Sequence, residues 1–309
     1  MVEQYDIVII GGGPAGLSAG IYASRALRKS LLIEMGFTGG QIVDAEFVEN
    51  YPGFPDGISG LGLTGLMHRQ AEKFGLNTLM AEVTGIELNG ESRIVKTSSG
   101  DFASKAVIIA SGSERDKLGA LGEAEFSGRG VSYCATCDGA FFRDQVVAVV
   151  GGGDAAITEA LHLTSFAQQV IIIHRRQALR ATPLLGRRAA ADPKLAFRWN
   201  SVVEQIEGGD VVKSLRLRNV KTDDVSTLDV SGVFIAIGFK PNTAYLKGML
   251  PLDTDGYIIT NEKMETDVPG IYAVGDIRAG SIRQVVSATG DGATAAVYAE
   301  EYIIEHERF

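Results

Sequence analysis

Tyr5-Asp6-Ile7-Val8-Ile9-Ile10-Gly11-Gly12-Gly13-Pro14-Ala15-Gly16 and, 140 residues on, Gln145-Val146-Val147-Ala148-Val149-Val150-Gly151-Gly152-Gly153-Asp154-Ala155-Ala156 write the same unit twice. In each, an apolar run that reads as a buried strand breaks at a glycine-rich turn and continues as a helix. Glycines at the first and third positions permit a tight turn and close approach of backbone to a pyrophosphate, and the new helix N-terminus offers N–H groups and a favourable dipole. The chain therefore reads as having two dinucleotide sites.

Working outward from the first turn, the pattern predicts a strand at 5–10, a helix at 14–26 and a strand at 30–34, a βαβ start. A helix near 59–74, a strand pair near 78–97 and a buried strand at 106–110 ending in Ser111-Gly112-Ser113 follow. Around the second turn the plan recurs: a strand from 145, a helix at 154–165, a strand at 170–173, a β meander over 200–230 and a closing strand at 233–237 that ends at Gly238. A tail then carries a short strand at 271–274, Gly275-Asp276 and a long helix at 286–305. It is too small for a domain and is expected to return and complete the first, making the second an insertion with crossings near 114–118 and 240–246.

The residues that should follow each turn differ. Gly11, Gly13 and Gly16 match GxGxxG, and Glu34 ends the next strand 23 residues after Gly11, where a carboxylate can hold both hydroxyls of an adenosine ribose. Gly151, Gly153 and Ala156 form the variant turn, and the same count of 23 lands on His174, followed by Arg175, Arg176 and Arg180. Cations without an acid favour a 2′-phosphate, so the second ligand is expected to be NADPH. From Arg175 to Arg188 there are five arginines and no acid, in a chain of net charge −9. The bland alternative is a solvated basic helix face, with His174 no more than a satisfied residue at a strand end.

The two cysteines of the chain lie in Cys134-Ala135-Thr136-Cys137-Asp138, just before the second turn. With no third cysteine and four scattered histidines, a zinc site is not expected. A redox dithiol fits better, and Asp138 beside it is either a general acid or base or an ordinary turn residue. Asp276 after the late strand could bind a cofactor hydroxyl or cap the turn, and Gln284 and Ala288 lead into the last helix, whose start could face a flavin carbonyl.

Gross composition is that of a globular chain of 309 residues, with 45% apolar and 22% charged side chains and 38 glycines, above an average share of about 7%. That length suits two domains, and the acidic balance argues against nucleic acid as the main partner. No apolar stretch reaches the ~18 residues of a membrane span, and Met1 to Gln4 leads straight into a strand, so a soluble cytoplasmic protein is expected.

With both turns, Cys134-Ala135-Thr136-Cys137-Asp138, His174-Arg175-Arg176 and Gly275-Asp276 in hand, the chain resembles the low-molecular-weight thioredoxin reductases of bacteria over nearly its whole length. The resemblance implies an α/β fold of two Rossmann-like three-layer domains, the second inserted in the first: FAD held by 1–113 and 244–309, NADPH by 114–243. It places Gly11, Gly13, Pro14, Ala15, Gly16, Glu34, Gly40, Gln41, Asn50, Gly112, Gly275, Asp276, Arg283, Gln284 and Val285 at FAD. Gly151, Gly153, Asp154, Ala155, Ala156, His174, Arg175, Arg176 and Arg180 fall to NADPH by the same comparison. It further implies Cys137 as the thiol next to the flavin, Cys134 as the thiol that attacks the partner disulfide, Asp138 as proton donor, and a homodimer whose inserted domain rotates. The function expected is an NADPH-dependent flavoprotein disulfide reductase acting on thioredoxin. A glutaredoxin-like or peroxidase-linked partner, a ferredoxin:NADP reductase of the same architecture, and a non-catalytic nucleotide-binding flavoprotein are the alternatives.

Overall fold

The computed structural model describes residues 2–45, 47–90, 92–246 and 248–307; of the segment from Met1 to Gln4, Met1 lies outside them. The chain divides into two compact units, one made of residues 1–114 and 240–309, the other of 115–239.

In the first unit, β1 (Glu3–Ile10) turns through the glycines into α1 (Pro14–Arg25) and returns as β2 (Ser30–Glu34). Next come α2 (Gly60–Lys73), β3 (Asn77–Met80), β4 (Val83–Asn89), β5 (Ser92–Thr97) and β6 (Gly100–Ile109). The segment expected to be a strand pair is thus three strands. Asn77–Met80 leaves the hairpin and pairs parallel with β2, because Leu31 to Glu34 offers it an open edge that no local pattern reveals.

The chain crosses through β7 (Ser113–Arg115) and builds the second unit from β8 (Val131–Ser132), α3 (Ala135–Asp138), β9 (Val146–Val150), α4 (Asp154–Leu163) and β10 (Gln169–His174). It continues with α5 (Pro183–Ala191), β11 (Leu195–Trp199), the meander β12 (Ser201–Gly208), β13 (Val212–Asn219) and β14 (Val225–Asp229), and β15 (Gly232–Ile235). After β16 (Phe239–Pro241), the tail adds β17 (Ile271–Ala273) and α6 (Val285–Glu307) to the first unit.

The two parallel sheets match in the order of four strands and differ in the origin of the fifth, β17 from the tail in one and β8 from before the glycine turn in the other. In the first unit β3-β2-β1-β6-β17 run parallel, while the N-terminal half of β6 also pairs antiparallel with β5. In the second the order is β11-β10-β9-β15-β8. Strand periodicity sends alternate residues to opposite faces. On β1, Ile7 and Ile9 pack with α1, α2 and α6, and Val8 and Ile10 pack on the other side with Ile86, Val95 and Leu246. In the second unit Val147 and Val149 meet α4, while Ala148 and Val150 meet Leu215 and Leu217 of the meander. Covered on both faces, these strands need continuous apolar runs, which is why their sequences do not alternate.

Candidate functional site

At the first turn Gly11 has φ +107°, a left-handed backbone that a Cβ would strain, and a Cβ on Gly16 would run into the Gly11 carbonyl. Both glycines let α1 start against the end of β1. Its N-cap, Gly13, offers no side-chain cap, and Pro14 at the start lacks an N–H to waste. The remaining first-turn N–H groups keep no side-chain partner, which fits a pyrophosphate.

Glu34 at the end of β2 accepts from the Gly12 N–H (2.7 Å) and the Gly36 N–H (2.9 Å), one on each oxygen. The carboxylate is held still and each oxygen retains a lone pair for a ribose hydroxyl. The neighbouring segment closes on the turn: the Gly39 N–H donates to Gly12 O (2.8 Å), and a Cβ on Gly40 would lie 3.2 Å from Gly13 Cα. Gln41 donates through Nε2 to Ser113 O, beside Gly112 at the end of β6, and Asn50 Nδ2 donates to Gln284 Oε1 at 3.2 Å.

The tail reaches this place because α6 crosses α1 closely, Gly292 lying where a Cβ would strike Ala15 O. Gly275 and Asp276 then follow β17 beside Ala15, with Ser281 Oγ donating to Asp276 Oδ1 (3.0 Å). Arg283, at φ +55°, donates to Tyr257 OH (3.1 Å), and Val285 opens α6. The structure therefore gathers Gly11 to Gly16, Glu34, Gly40, Gln41, Asn50, Gly112 and the segment from Gly275 to Val285 at the carboxyl ends of one parallel sheet, where such sheets bind ligands.

Sequence reasoning missed Asp291. It is buried, accepts from the Gly275 N–H (3.1 Å), and pairs bidentately with Arg278 at 2.6 and 3.0 Å. A lone acid within the otherwise uncharged first four turns of α6 was the available signal.

In the second unit α4 starts at Gly153, again without a side-chain cap. The Arg180 and Ala181 N–H groups both donate to Gly152 O (2.7 and 3.1 Å), and Asp154 Oδ1 accepts from the Thr182 N–H (2.6 Å). These bonds fold the loop after β10 over the turn and bring Arg180 to it, while Arg175 and Arg176 stand exposed at the strand end and Ala155 and Ala156 continue the helix. His174 is different. Its ring is buried beneath Gly152, edge-on to Trp199, and burial together with Arg180, Arg176 and Arg175 lowers its pKa. A backbone hydrogen bond with Ala178 opposes that shift, and the charges exposed beside the ring are those of Arg175, Arg176 and Arg180.

The dithiol follows β8, the edge strand of the same sheet, at the same carboxyl end as the glycine turn after β9. With β15 between them, the strand ends lie roughly 10 Å apart at sheet spacing. Cys134 and Cys137 are joined as a disulfide, Cα to Cα 5.3 Å, and the Cys137 N–H donates to Cys134 Sγ at 3.2 Å. Half-buried Asp138 accepts from Ser132 Oγ at 2.6 Å. Burial raises the Asp138 pKa, with the Ser132 hydrogen bond and Arg115 opposing. A carboxyl that keeps its proton beyond the usual carboxylate range suits proton donation.

Among the described residues no helix is long and apolar enough to cross a membrane. A family profile described as pyridine nucleotide-disulphide oxidoreductase matches residues 5–292. A protein of Peptoclostridium litorale named thioredoxin reductase is 45% identical over 99% of each chain. Another of that name from Listeria innocua is 47% identical over 97% of this chain and 94% of its own. The crystal structure of thioredoxin reductase from Streptococcus pyogenes superposes with a TM-score of 0.95 at 44% identity, covering 99% of this chain and 100% of that one.

Proposed function

The chain belongs to the pyridine nucleotide-disulphide oxidoreductase family, and from that premise we propose how its own residues carry out the family's reaction. It is an enzyme that reduces the disulfide of thioredoxin, using NADPH and FAD and its own Cys134/Cys137 pair. The observation that carries the residue assignment is the disulfide itself, seated at the ligand-binding end of the sheet that also bears the arginine-flanked turn.

Unit 1 holds FAD and unit 2 holds NADPH. Gly11, Gly13, Ala15 and Gly16 bring backbone N–H groups to the pyrophosphate of FAD, and Glu34 takes its ribose. Gly40, Gln41, Asn50, Gly112, Gly275, Asp276, Arg283, Gln284 and Val285 line the remainder. The uncapped turn from Gly151 to Ala156 receives the NADPH pyrophosphate, and Arg175, Arg176 and Arg180 receive its 2′-phosphate. FAD, when bound, supplies a carrier that accepts a hydride and yields an electron pair to a disulfide.

Once reduced, Cys134 is the attacking thiolate, stabilised by the Cys137 N–H that already points at its sulfur. It bonds to one sulfur of the thioredoxin disulfide and expels the other as a thiolate. Cys137 then attacks Cys134 Sγ, releases the second thioredoxin thiol and restores the Cys134–Cys137 bond. Asp138 moves the proton that this exchange needs. We place the reaction in the cytoplasm, whose reducing conditions suit such a dithiol, and assign the enzyme a homodimer in which exposed apolar side chains such as Met35, Phe37 and Leu61 supply contact area.

Cys137→Ser tests the assignment. Reduction of thioredoxin by NADPH should vanish while bound flavin is retained; survival of that reduction would show that electrons take another path.

A further inference from the structure

Ser132 is a buried hydroxyl at the end of β8, two residues before the first cysteine, and the mechanism above leaves it unused. A buried polar group of this kind needs partners, and it has three. The Cys134 N–H donates to Ser132 Oγ at 3.1 Å, Asp138 Oδ2 accepts from it at 2.6 Å, and Cys134 O lies 3.4 Å away as a second acceptor. One hydroxyl thus stands between the backbone of Cys134 and the carboxyl of Asp138.

A hydroxyl can donate one proton and accept two. When Asp138 is ionised, Ser132 donates to Oδ2. When Asp138 is protonated on Oδ2, the carboxyl donates to Ser132 Oγ and the serine hydrogen turns to Cys134 O. Either way the carboxyl remains in place and no buried donor is left without an acceptor. Alanine can do neither, and a carboxyl without this partner must find another orientation each time its charge changes.

We propose that Ser132 is a positioning residue for proton transfer at the dithiol, a rotating hydroxyl that holds Asp138 against the Cys134 backbone in both of its protonation states. This rests on the assignment of Asp138 as the proton-transfer group. The charged surroundings of Asp138 are Arg115 of β7, whose guanidinium also lies over the Tyr133 ring at 5.0 Å, and helix α4, which packs against α3 and carries Asp154, Glu159 and His162. Tyr133 is itself tied back by donating to Glu123 Oε1 at 2.7 Å. None of these groups can replace a donor at Oδ2 that also accepts from Cys134.

The test uses the holoenzyme with Ser132→Ala, Ser132→Thr and Asp138→Asn, each checked for bound flavin. Two profiles are recorded against pH: thioredoxin reduction by NADPH, and alkylation of the dithiothreitol-reduced dithiol by iodoacetamide, which needs no turnover. Because the bond to the ionised carboxylate is charge-assisted and stronger than the one the neutral carboxyl makes, losing both should move the Asp138-dependent limb of both profiles upward by about one pH unit in Ser132→Ala. Ser132→Thr, which keeps the hydroxyl, should follow the native profile, and Asp138→Asn should lose the limb. A Ser132→Ala profile that superimposes on the native one while Asp138→Asn loses the limb would overturn the role of Ser132 and leave that of Asp138 intact. An equal shift in Ser132→Thr would also overturn it, since the hydroxyl would then not be what matters. A limb that persists in Asp138→Asn would remove the Asp138 assignment, and this inference with it.

Discussion

In the proposed function coenzyme choice rests on three exposed arginines, Arg175, Arg176 and Arg180, and they are not equivalent. Arg180 is anchored, its N–H bonded to Gly152 O at 2.7 Å and its guanidinium 3.9 Å from where a Cβ of Gly153 would stand. Arg175 and Arg176 stand on the strand end without that tether. A charge-assisted contact to phosphate is worth about 1.5 kcal/mol or more, and solvent exposure argues for the lower figure. At about 1.4 kcal/mol per factor of ten, Arg180→Ala should raise KM for NADPH about 10-fold. Arg175→Ala combined with Arg176→Ala should raise it about 10- to 100-fold, two contacts being lost but partly screened. KM for NADH, which has no 2′-phosphate, should stay within about twofold if the backbone fold of the turn survives. The assay is steady-state oxidation of each coenzyme with saturating thioredoxin, repeated at rising salt. Native preference for NADPH should erode as ionic strength screens exposed charges, and the variants should show little further loss. An unchanged ratio of NADPH to NADH efficiency in the variants would refute the phosphate reading. An equal rise in both KM values would mean that the arginines hold the loop and not the ligand.

Two glycines separate space from propensity. Gly16→Ala places a methyl against the Gly11 carbonyl, where backbone cannot yield, and should give protein with little bound flavin by absorbance; full flavin content would disprove the close-approach argument. Gly65→Ala, in α2 with nothing within 4 Å, should instead stabilise by roughly 0.5–1 kcal/mol in urea titration, and a lower midpoint would contradict it. Asp291→Asn leaves Arg278 without its carboxylate and should cost about 3 kcal/mol, with faster flavin release on dilution; unchanged release would free the turn at Gly275 from dependence on Asp291.

Much of the site was legible as sequence because its signals are local. A tight turn between strand and helix requires Gly11 and Gly16 within six positions, and the rise of β2 fixes where Glu34 must fall. The same count led to His174, whose ring the structure buries under Gly152. Position along a strand does not say whether the ring at its end points to solvent or lies under the preceding turn, and a Gly152 without a side chain leaves room for it to do the latter. The strand pair expected near 78–97 is three strands for a related reason, since strand pattern does not name the partner strand.

The sequence by itself determined that this chain has two glycine-rich turns between strand and helix, which of them is flanked by an acid and which by arginines, and that the cysteine pair travels with the second. Each of these is a relation between residues close in the chain, set by backbone geometry and charge. Tertiary structure decided everything that depends on neighbours brought from elsewhere: β17 completing the first sheet from the far end of the chain, Arg180 folded onto Gly152, Asp291 under Gly275. Even the seven residues from Ser132 to Asp138 needed it, because a strand end and a short helix meet only once the sheet beneath them has packed. Buried polar groups must find partners wherever packing places them, and packing is a property of the whole fold.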